Sequence, residues 1–320
     1  MVKNIFPLII VGLFAVISGF SLLHEGLPPT HDGEYHVVRF YEFYQALKDG
    51  NWYPRWAPDL NNGFGVPLFN YVYPLPNYVA SFFHSLGFSF IDSFKLNMFF
   101  ALILGSIFFY LWAKGFWGVW GGLVGSIFYT FSPYHFVDIY IRGSVGEVWA
   151  LAFFPAFLWS ITRLIKFQDK LYFIFSSVFL ALIIFSHNIL ALMFLPFALS
   201  YCGFLLLGDK GNKARLPARQ GDWGKSILVF LLGAGLSSLF WLPALLERQY
   251  VTGLQVFDFS AHFPDLYQLL IPSWGSGFSG ETVVDQMSFQ IGTANLIAII
   301  VVLFSMLIGH SGLSRISNRG

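Results

Sequence analysis

The chain has 320 residues, of which 56% are hydrophobic and only 11% charged, with 39 phenylalanines and a mean hydropathy of +0.64. A soluble domain needs far more charge to cover its surface, so this composition excludes an ordinary soluble enzyme. The net charge of +1 is split between loops rather than massed in a patch, which gives nucleic acid nothing to bind, and the single Cys202 excludes an internal disulfide.

Apolar runs recur along the chain at 5–23, 96–113, 119–131, 148–165, 171–185, 189–207, 227–246 and 291–308. Runs of ~17–25 apolar residues cross a bilayer as helices, and the shorter ones here need their flanks to reach that length. The fold class predicted is all-α: a polytopic integral membrane protein of about eight transmembrane helices. Lys3 before an apolar run resembles a signal peptide. That run is long and no small-x-small cleavage site follows it, which predicts an uncleaved first span over 1–23.

Residues 24–92 form a long first loop. Asp32 is placed to cap a helix from Gly33 to Lys48, closed by Gly50. Its Val37, Val38, Phe40, Tyr41, Tyr44 and Leu47 suit an amphipathic helix lying on the membrane surface. The stretch NNGFGVP at 61–67 reads as a turn. Segment 72–86, with Pro74, Pro76 and His84, is either a short span or an interfacial element. A membrane core over 93–246, a second long loop over 247–290, and a last span with its tail over 291–320 complete the organisation.

Charge decides the orientation. If 72–86 does not span, twelve of the eighteen basic residues fall on the N-terminal side, five of them in 208–225. If it does span, that basic loop faces outward. The positive-inside rule selects the first arrangement, with a cytoplasmic N-terminus. Fourteen of the seventeen acidic residues and seven of the eight histidines then lie outside or at the outer boundary. The outer loops therefore carry the chemistry: His31, Asp32, Glu34 and His36 in the first; His135, Asp138, Arg142 and Glu147 in the second; His187 and Asn188 in the third; Glu247, Arg248, His262 and Trp274 in the fourth. Ionisable residues at the ends of spans are functional candidates. Each also has a plainer reading. Asp32 is a cap, Arg142 and Arg248 are headgroup-level snorkellers, His187 and Asn188 bond between helices, and His84 and His135 fill the interface. The GxxxG spacings at Gly118, Gly122 and at Gly121, Gly125 read as close helix packing.

The segments THDGEYHVVRFYEF, WYPRW, NNGFGVPLFNY, IRGSVGE, FSHNILAL, FWLPALLE and the Trp274-to-Gly292 stretch with QMSFQIG tile most of residues 30–292. In this order they resemble a membrane family labelled 6-pyruvoyl-tetrahydropterin synthase-related. The acidic motif in the first outer loop also resembles the C-type glycosyltransferases (GT-C), although an Asp-Gly-Glu stands here in place of an adjacent acidic pair. Pterin chemistry needs a three-histidine zinc site, and no such constellation is present. The chain also ends at SRISNRG, where relatives continue with more membrane segments, so it reads as a short member or a fragment.

The GT-C resemblance implies inverting hexosyl or pentosyl transfer from a polyprenyl-phosphate-linked sugar, in the cell envelope, on the outer face of the plasma membrane. Asp32 is then the base, with Glu34 beside it, and Arg142 or Arg248 meets the lipid phosphate. Glu147, His187, Asn188, Glu247 and His262 complete the substrate-binding set, and Trp274 stacks on a sugar face. His31, Asp32, Glu34 and His36 either orient the base or hold a divalent cation, Mg²⁺ or Mn²⁺, which would prefer the carboxylates. Two rival classes stay open. A lipid or lipid-linked-sugar transporter would also be polytopic, though with coupling residues at mid-membrane and repeated halves. A non-catalytic assembly partner would use the aromatic outer loops to hold another membrane protein. Oligomeric state is not legible.

Overall fold

The structure is a computed structural model that describes residues 5–207, 223–251, 263–278 and 285–317. In chain order its helices are α1 (Phe6–Ser18), α2 (Gly33–Lys48), α3 (Leu68–Tyr71), α4 (Leu75–Ser85) and α5 (Phe90–Thr130). They continue with α6 (Pro133–Phe136), a π-helical turn (Val137–Arg142), α7 (Val145–Phe167), α8 (Lys170–Ser186) and α9 (Asn188–Leu207). The rest are α10 (Trp223–Leu236), α11 (Ser238–Glu247), α12 (Leu266–Leu270) and α13 (Thr293–Ser317). The described residues form no strand beyond two isolated bridges. The all-helical expectation holds.

The chain divides into two compact units, Met1–Thr130 with Asp138–Leu254, and Phe131–Val137 with Gln255–Gly320. In the first, α5, α7 and α8 make the centre, with α1 against α5, α10 against α8, and α2 and α4 over α5. The core is one aliphatic and aromatic cluster that includes Phe94, Met98, Trp149, Phe153, Phe157, Ile161 and Leu180. α7 is its axis: 72% of its apolar window is buried, against 22% for α9, which leaves most of its surface to lipid.

Among the described residues α5, α7 and α9 are long and apolar enough to cross a membrane, and α10 with α11, bent by 65° near Ser237, forms a fourth candidate. The apolar α1, α8 and the opening turns of α13 are shorter. The protein is thus a helical membrane protein with three to four candidate spans by length and composition.

Helix α5 is too long for a single span. Drawn out straight, its 41 residues would run about 62 Å, twice the hydrocarbon thickness. It turns back instead. Gly118 has φ +71° and ψ −172°, and the residues after it pack on those before it. Ser126 Oγ donates to the Ser106 carbonyl at 2.7 Å, the Ser106 and Thr130 hydroxyls lie 2.7 Å apart, and Tyr129 stacks on Phe109 at 4.5 Å. A Cβ added to Gly122 would come to 3.0 Å of Lys114, and one on Gly125 to 3.1 Å of Phe109. Two of the GxxxG glycines therefore do bring helices together, while Gly118 makes the turn.

In the first loop α2 has the predicted ends. Gly50 takes φ +85° just beyond it, but Asp32 makes no side-chain capping bond. The helix does not simply lie on a membrane. His36, Phe40, Glu42 and Phe43 are buried, Phe43 between Phe69 and Tyr78, while Tyr35, Val38 and Tyr41 stay exposed. Apolar residues occupy both faces of this helix, and tertiary packing claims one of them. α4, from the ambiguous segment, has 11 residues and so about 16 Å of length, half a bilayer core. The NNGFG stretch is a turn as predicted, with Asn61, Asn62, Gly63 and Gly65 all in the left-handed region beneath the Ala57–Val66 bridge.

Candidate functional site

The cluster in the first unit is assembled by backbone before side chains meet. The His31 N–H donates to the Ile141 carbonyl at 2.8 Å and the Asp32 N–H to the Arg142 carbonyl at 2.9 Å. This ties the start of α2 to the end of the π-helical turn. The close approach needs glycine. Gly143 has φ +69°, and a Cβ there would overlap the Thr30 hydroxyl. Gly146 has the same role a turn later, where a Cβ would overlap the Tyr73 ring and reach 2.6 Å from the Ser186 carbonyl. Four stretches remote in sequence thereby converge: 30–36, 138–147, 186–187 and Tyr73.

Arg142 is the centre of charge. Its Nη1 donates to Asp138 Oδ1 at 2.9 Å and to Glu147 Oε2 at 2.6 Å, and its Nη2 lies 2.5 Å from Glu147 Oε1. The Arg142–Glu147 fork is the geometry that makes guanidinium–carboxylate pairs strong. The Asp138 side chain is wholly buried and that of Glu147 is 6% exposed, whereas Arg142 keeps 27% exposure. Among the described residues Asp138 Oδ2 meets no hydrogen-bond donor. Burial, and then the neighbouring Glu147 carboxylate, push the Asp138 carboxyl well above the usual carboxylate range. Asp138 is therefore harder to ionise than a separate carboxyl.

His187 completes the cluster. Its Nδ1 accepts the Leu190 N–H at 3.2 Å at the start of α9, so the ring proton sits on Nε2, which lies 3.8 Å from Glu147 Oε1. Tyr73 packs on the imidazole with ring centres 4.9 Å apart. Burial lowers the His187 pKa despite Glu147, and burial raises Tyr73 to about 12. Both rings are neutral at physiological pH. Asp32 and Arg39 lie within electrostatic reach of Tyr73, which places the first-loop carboxylate at the rim of the cluster.

The other predicted residues divide. His36 is 2% exposed and packs beside Phe40 and Phe94, and burial pushes it down to about 3. Glu34 is exposed, two residues and so roughly 200° around the helix from the buried His36. The divalent-cation set of His31, Asp32, Glu34 and His36 does not fit a metal, because helix geometry sends two of its members to opposite sides. Among the described residues no group of three or more His, Cys, Asp or Glu side chains is arranged to hold one. Asn188 is exposed at the start of α9, its Oδ1 accepting the neighbouring Ile189 N–H. Glu247 belongs to a second cluster, accepting from Arg55 at 3.2 Å and from buried Asn70 at 2.9 Å. Arg248 is exposed on the 3₁₀ turn Arg248–Tyr250. Trp274 lies in the other unit, and His262 falls outside the described residues.

Sequence reasoning counted Asp138 among the outer-loop polar groups but gave it no role in the site, and it gave Tyr73 no individual role. The Asp138-x-x-x-Arg142 spacing is a helical ion-pair signal. Tyr73 sits in the Pro-flanked segment whose placement the sequence left ambiguous.

A helical membrane protein with a desolvated cluster of acid, base and guanidinium groups at helix ends is the class that fold and site define. The 6-pyruvoyl-tetrahydropterin synthase related domain, a membrane protein family, matches residues 69–274, and the chain belongs to that family. An uncharacterized protein of Lactococcus lactis subsp. cremoris (strain MG1363) is 25% identical over 266 residues, 80% of this chain. The chain spans 42% of that relative's length. No solved structure matches.

Proposed function

We propose that the protein is a GT-C-like membrane glycosyltransferase that moves a sugar from a polyprenyl-phosphate-linked donor to an acceptor hydroxyl. The reading includes eight apolar segments crossing or entering the plasma membrane, a cytoplasmic N-terminus, and a site on the outer face. The observation that supports it most is the backbone tether of Asp32, whose carboxylate makes no capping bond, to Arg142, whose guanidinium is held by two acids.

Asp32 accepts the proton of the acceptor hydroxyl as its oxygen bonds to the anomeric carbon. The bond from that carbon to the phosphate oxygen breaks, the phosphate leaves with the electron pair, and the configuration inverts. Arg142 meets the leaving phosphate by giving up some of its fork to Glu147, which His187 Nε2–H is near enough to receive. Asp138 keeps Arg142 in place during that exchange. No step runs through a metal. The test is release of polyprenyl phosphate from a panel of lipid-linked sugars by purified protein, with Asp32→Asn as control. Cleavage that the variant loses supports the reading; no cleavage by folded wild-type protein overturns it.

One observation favours a second reading. A wholly buried carboxyl at a π-helical turn suits a proton-coupled transporter of lipid-linked sugars. Proton-driven flux into vesicles without donor cleavage would select it.

A further inference from the structure

The second unit contains a pocket of about 240 Å³ lined by the polar and aromatic Tyr267, Gln268, Ser273, Trp274, Asp285 and Gln286 together with the apolar Ile271, Met287 and Phe289. We propose that this pocket binds one neutral saccharide unit of a glycan. Four of the nine lining residues, Asp285, Gln286, Met287 and Phe289, lie beyond residue 274, where the family match ends.

The pocket is built by backbone. The Gly277 N–H donates to the Asp285 carbonyl at 2.6 Å and the Met287 N–H to the Gly277 carbonyl at 2.9 Å, a small ladder that holds strip 274–277 beside 285–287. A Cβ on Gly275 would lie 2.5 Å from the Asp285 carbonyl oxygen, so the strips meet only because glycine stands there. Asp285 itself holds φ +67°, a conformation that few non-glycine residues adopt and that clusters at functional sites. Gln290 Nε2 donates to the Ser273 carbonyl at 2.7 Å, and the Ile291 N–H donates to the Leu269 carbonyl at 3.0 Å. The walls are fixed before any ligand arrives.

The chemistry selects the ligand. Trp274 and Tyr267 line the pocket and are 53% and 59% exposed, so both side chains are accessible to a ligand. The electron-rich face of an aromatic ring attracts the weakly positive C–H face of a pyranose. Gln268 Nε2 donates to Gln286 Oε1 at 3.1 Å, so the amides are pre-oriented, and with Asp285 and Ser273 they offer donors and acceptors to hydroxyl groups. None of the lining residues is Lys, Arg or His, and Asp285 repels phosphate, so a phospholipid headgroup or a sugar phosphate does not fit. The volume falls below the ~300–1,000 Å³ of pockets for drug-sized ligands, which limits the occupant to one ring.

The test uses the full chain in nanodiscs, with saturation-transfer NMR and calorimetry against a panel of neutral mono- and disaccharides, and with choline and phospholipid vesicles as controls. Saturable binding of at least one saccharide is expected, weakened about tenfold by Trp274→Ala, as losing a stacking face implies. Asp285→Asn keeps a residue that tolerates positive φ while removing the charge, and weakens binding without disturbing the fold. Binding is also measured in Asp32→Asn protein, where it is retained. No saccharide binding, binding that Trp274→Ala leaves intact, or binding of choline or vesicles instead overturns the proposal. Donor cleavage without saccharide binding would remove this pocket and leave the transfer reading. Saccharide binding without cleavage would do the reverse.

Discussion

Replacing Arg142 by glutamine asks most directly whether the charged cluster is desolvated. The variant removes the guanidinium shared by Asp138 and Glu147, whose side chains are 0% and 6% exposed. Breaking a fully buried pair by deleting one partner costs about 3–5 kcal/mol. The 27% exposure of Arg142 admits some screening, and the raised Asp138 pKa lessens the charge left stranded there. The expected loss is therefore about 2–3 kcal/mol at pH 7. It is read by reversible denaturation in mixed micelles. Glu147→Gln alone should cost about 2 kcal/mol, and the double variant should recover about 2 kcal/mol relative to the sum of the singles. A loss below about 0.5 kcal/mol, or a coupling near zero, would mean solvated surface charges and refute the reasoning.

The other predictions concern single groups around that centre. Because the Asp138 pKa is raised in the fold, its contribution is fully present below the unfolded value of 3.8 and lost as pH rises through the folded value. Asp138→Asn should therefore be at least as stable as wild type at pH 7, with the difference vanishing near pH 3; marked destabilisation at pH 7 would show that the ionised pair with Arg142 outweighs burial. His36, lowered from 6.5 to about 3, has the opposite sign: its contribution is present above pH 6.5 and lost as pH falls toward 3, at about 1.4 kcal/mol per pH unit. His36→Gln should flatten that slope in acid denaturation curves, and an unchanged slope would place the sensitivity elsewhere. Gly143→Ala forces an L-residue into φ +69° at about 1–2 kcal/mol and pushes on Thr30. It should lower donor cleavage at least about tenfold while leaving the Arg142–Glu147 coupling energy intact, since only the Asp32 tether moves.

The sequence made some of this legible for identifiable reasons. Apolar runs mark every long helix, because lipid and core both demand them, and Asp32, Gly33, Lys48 and Gly50 mark the ends of α2 through local backbone preferences. The convergence of 30–36, 138–147 and 186–187 was visible only as quoted segments. Its cause, two glycines that let backbones meet, is a tertiary fact with no periodic signal. Composition likewise cannot say that α2 would turn Phe40 and Phe43 inward, because Tyr35, Val38 and Tyr41 make its opposite side apolar too. The four candidate cation ligands are neighbours in sequence, but Glu34 is exposed and His36 buried on α2, because adjacency in sequence is not adjacency on a helix. Glu247 was singled out, but its partners Arg55 and Asn70 were not, since 192 and 177 residues separate them from it.

The fold-back at Gly118 bears on how the chain enters the bilayer during synthesis. The return leg, residues 119–130, is only about 18 Å long and carries Ser126 and Thr130, so it is a poor candidate to partition by itself. Its hydroxyls find their partners on the outgoing leg, at Ser106. The two legs must therefore leave the translocon as one hairpin. A nascent chain paused just after Gly118 would offer an insertion intermediate with half of that serine–threonine ladder unmade.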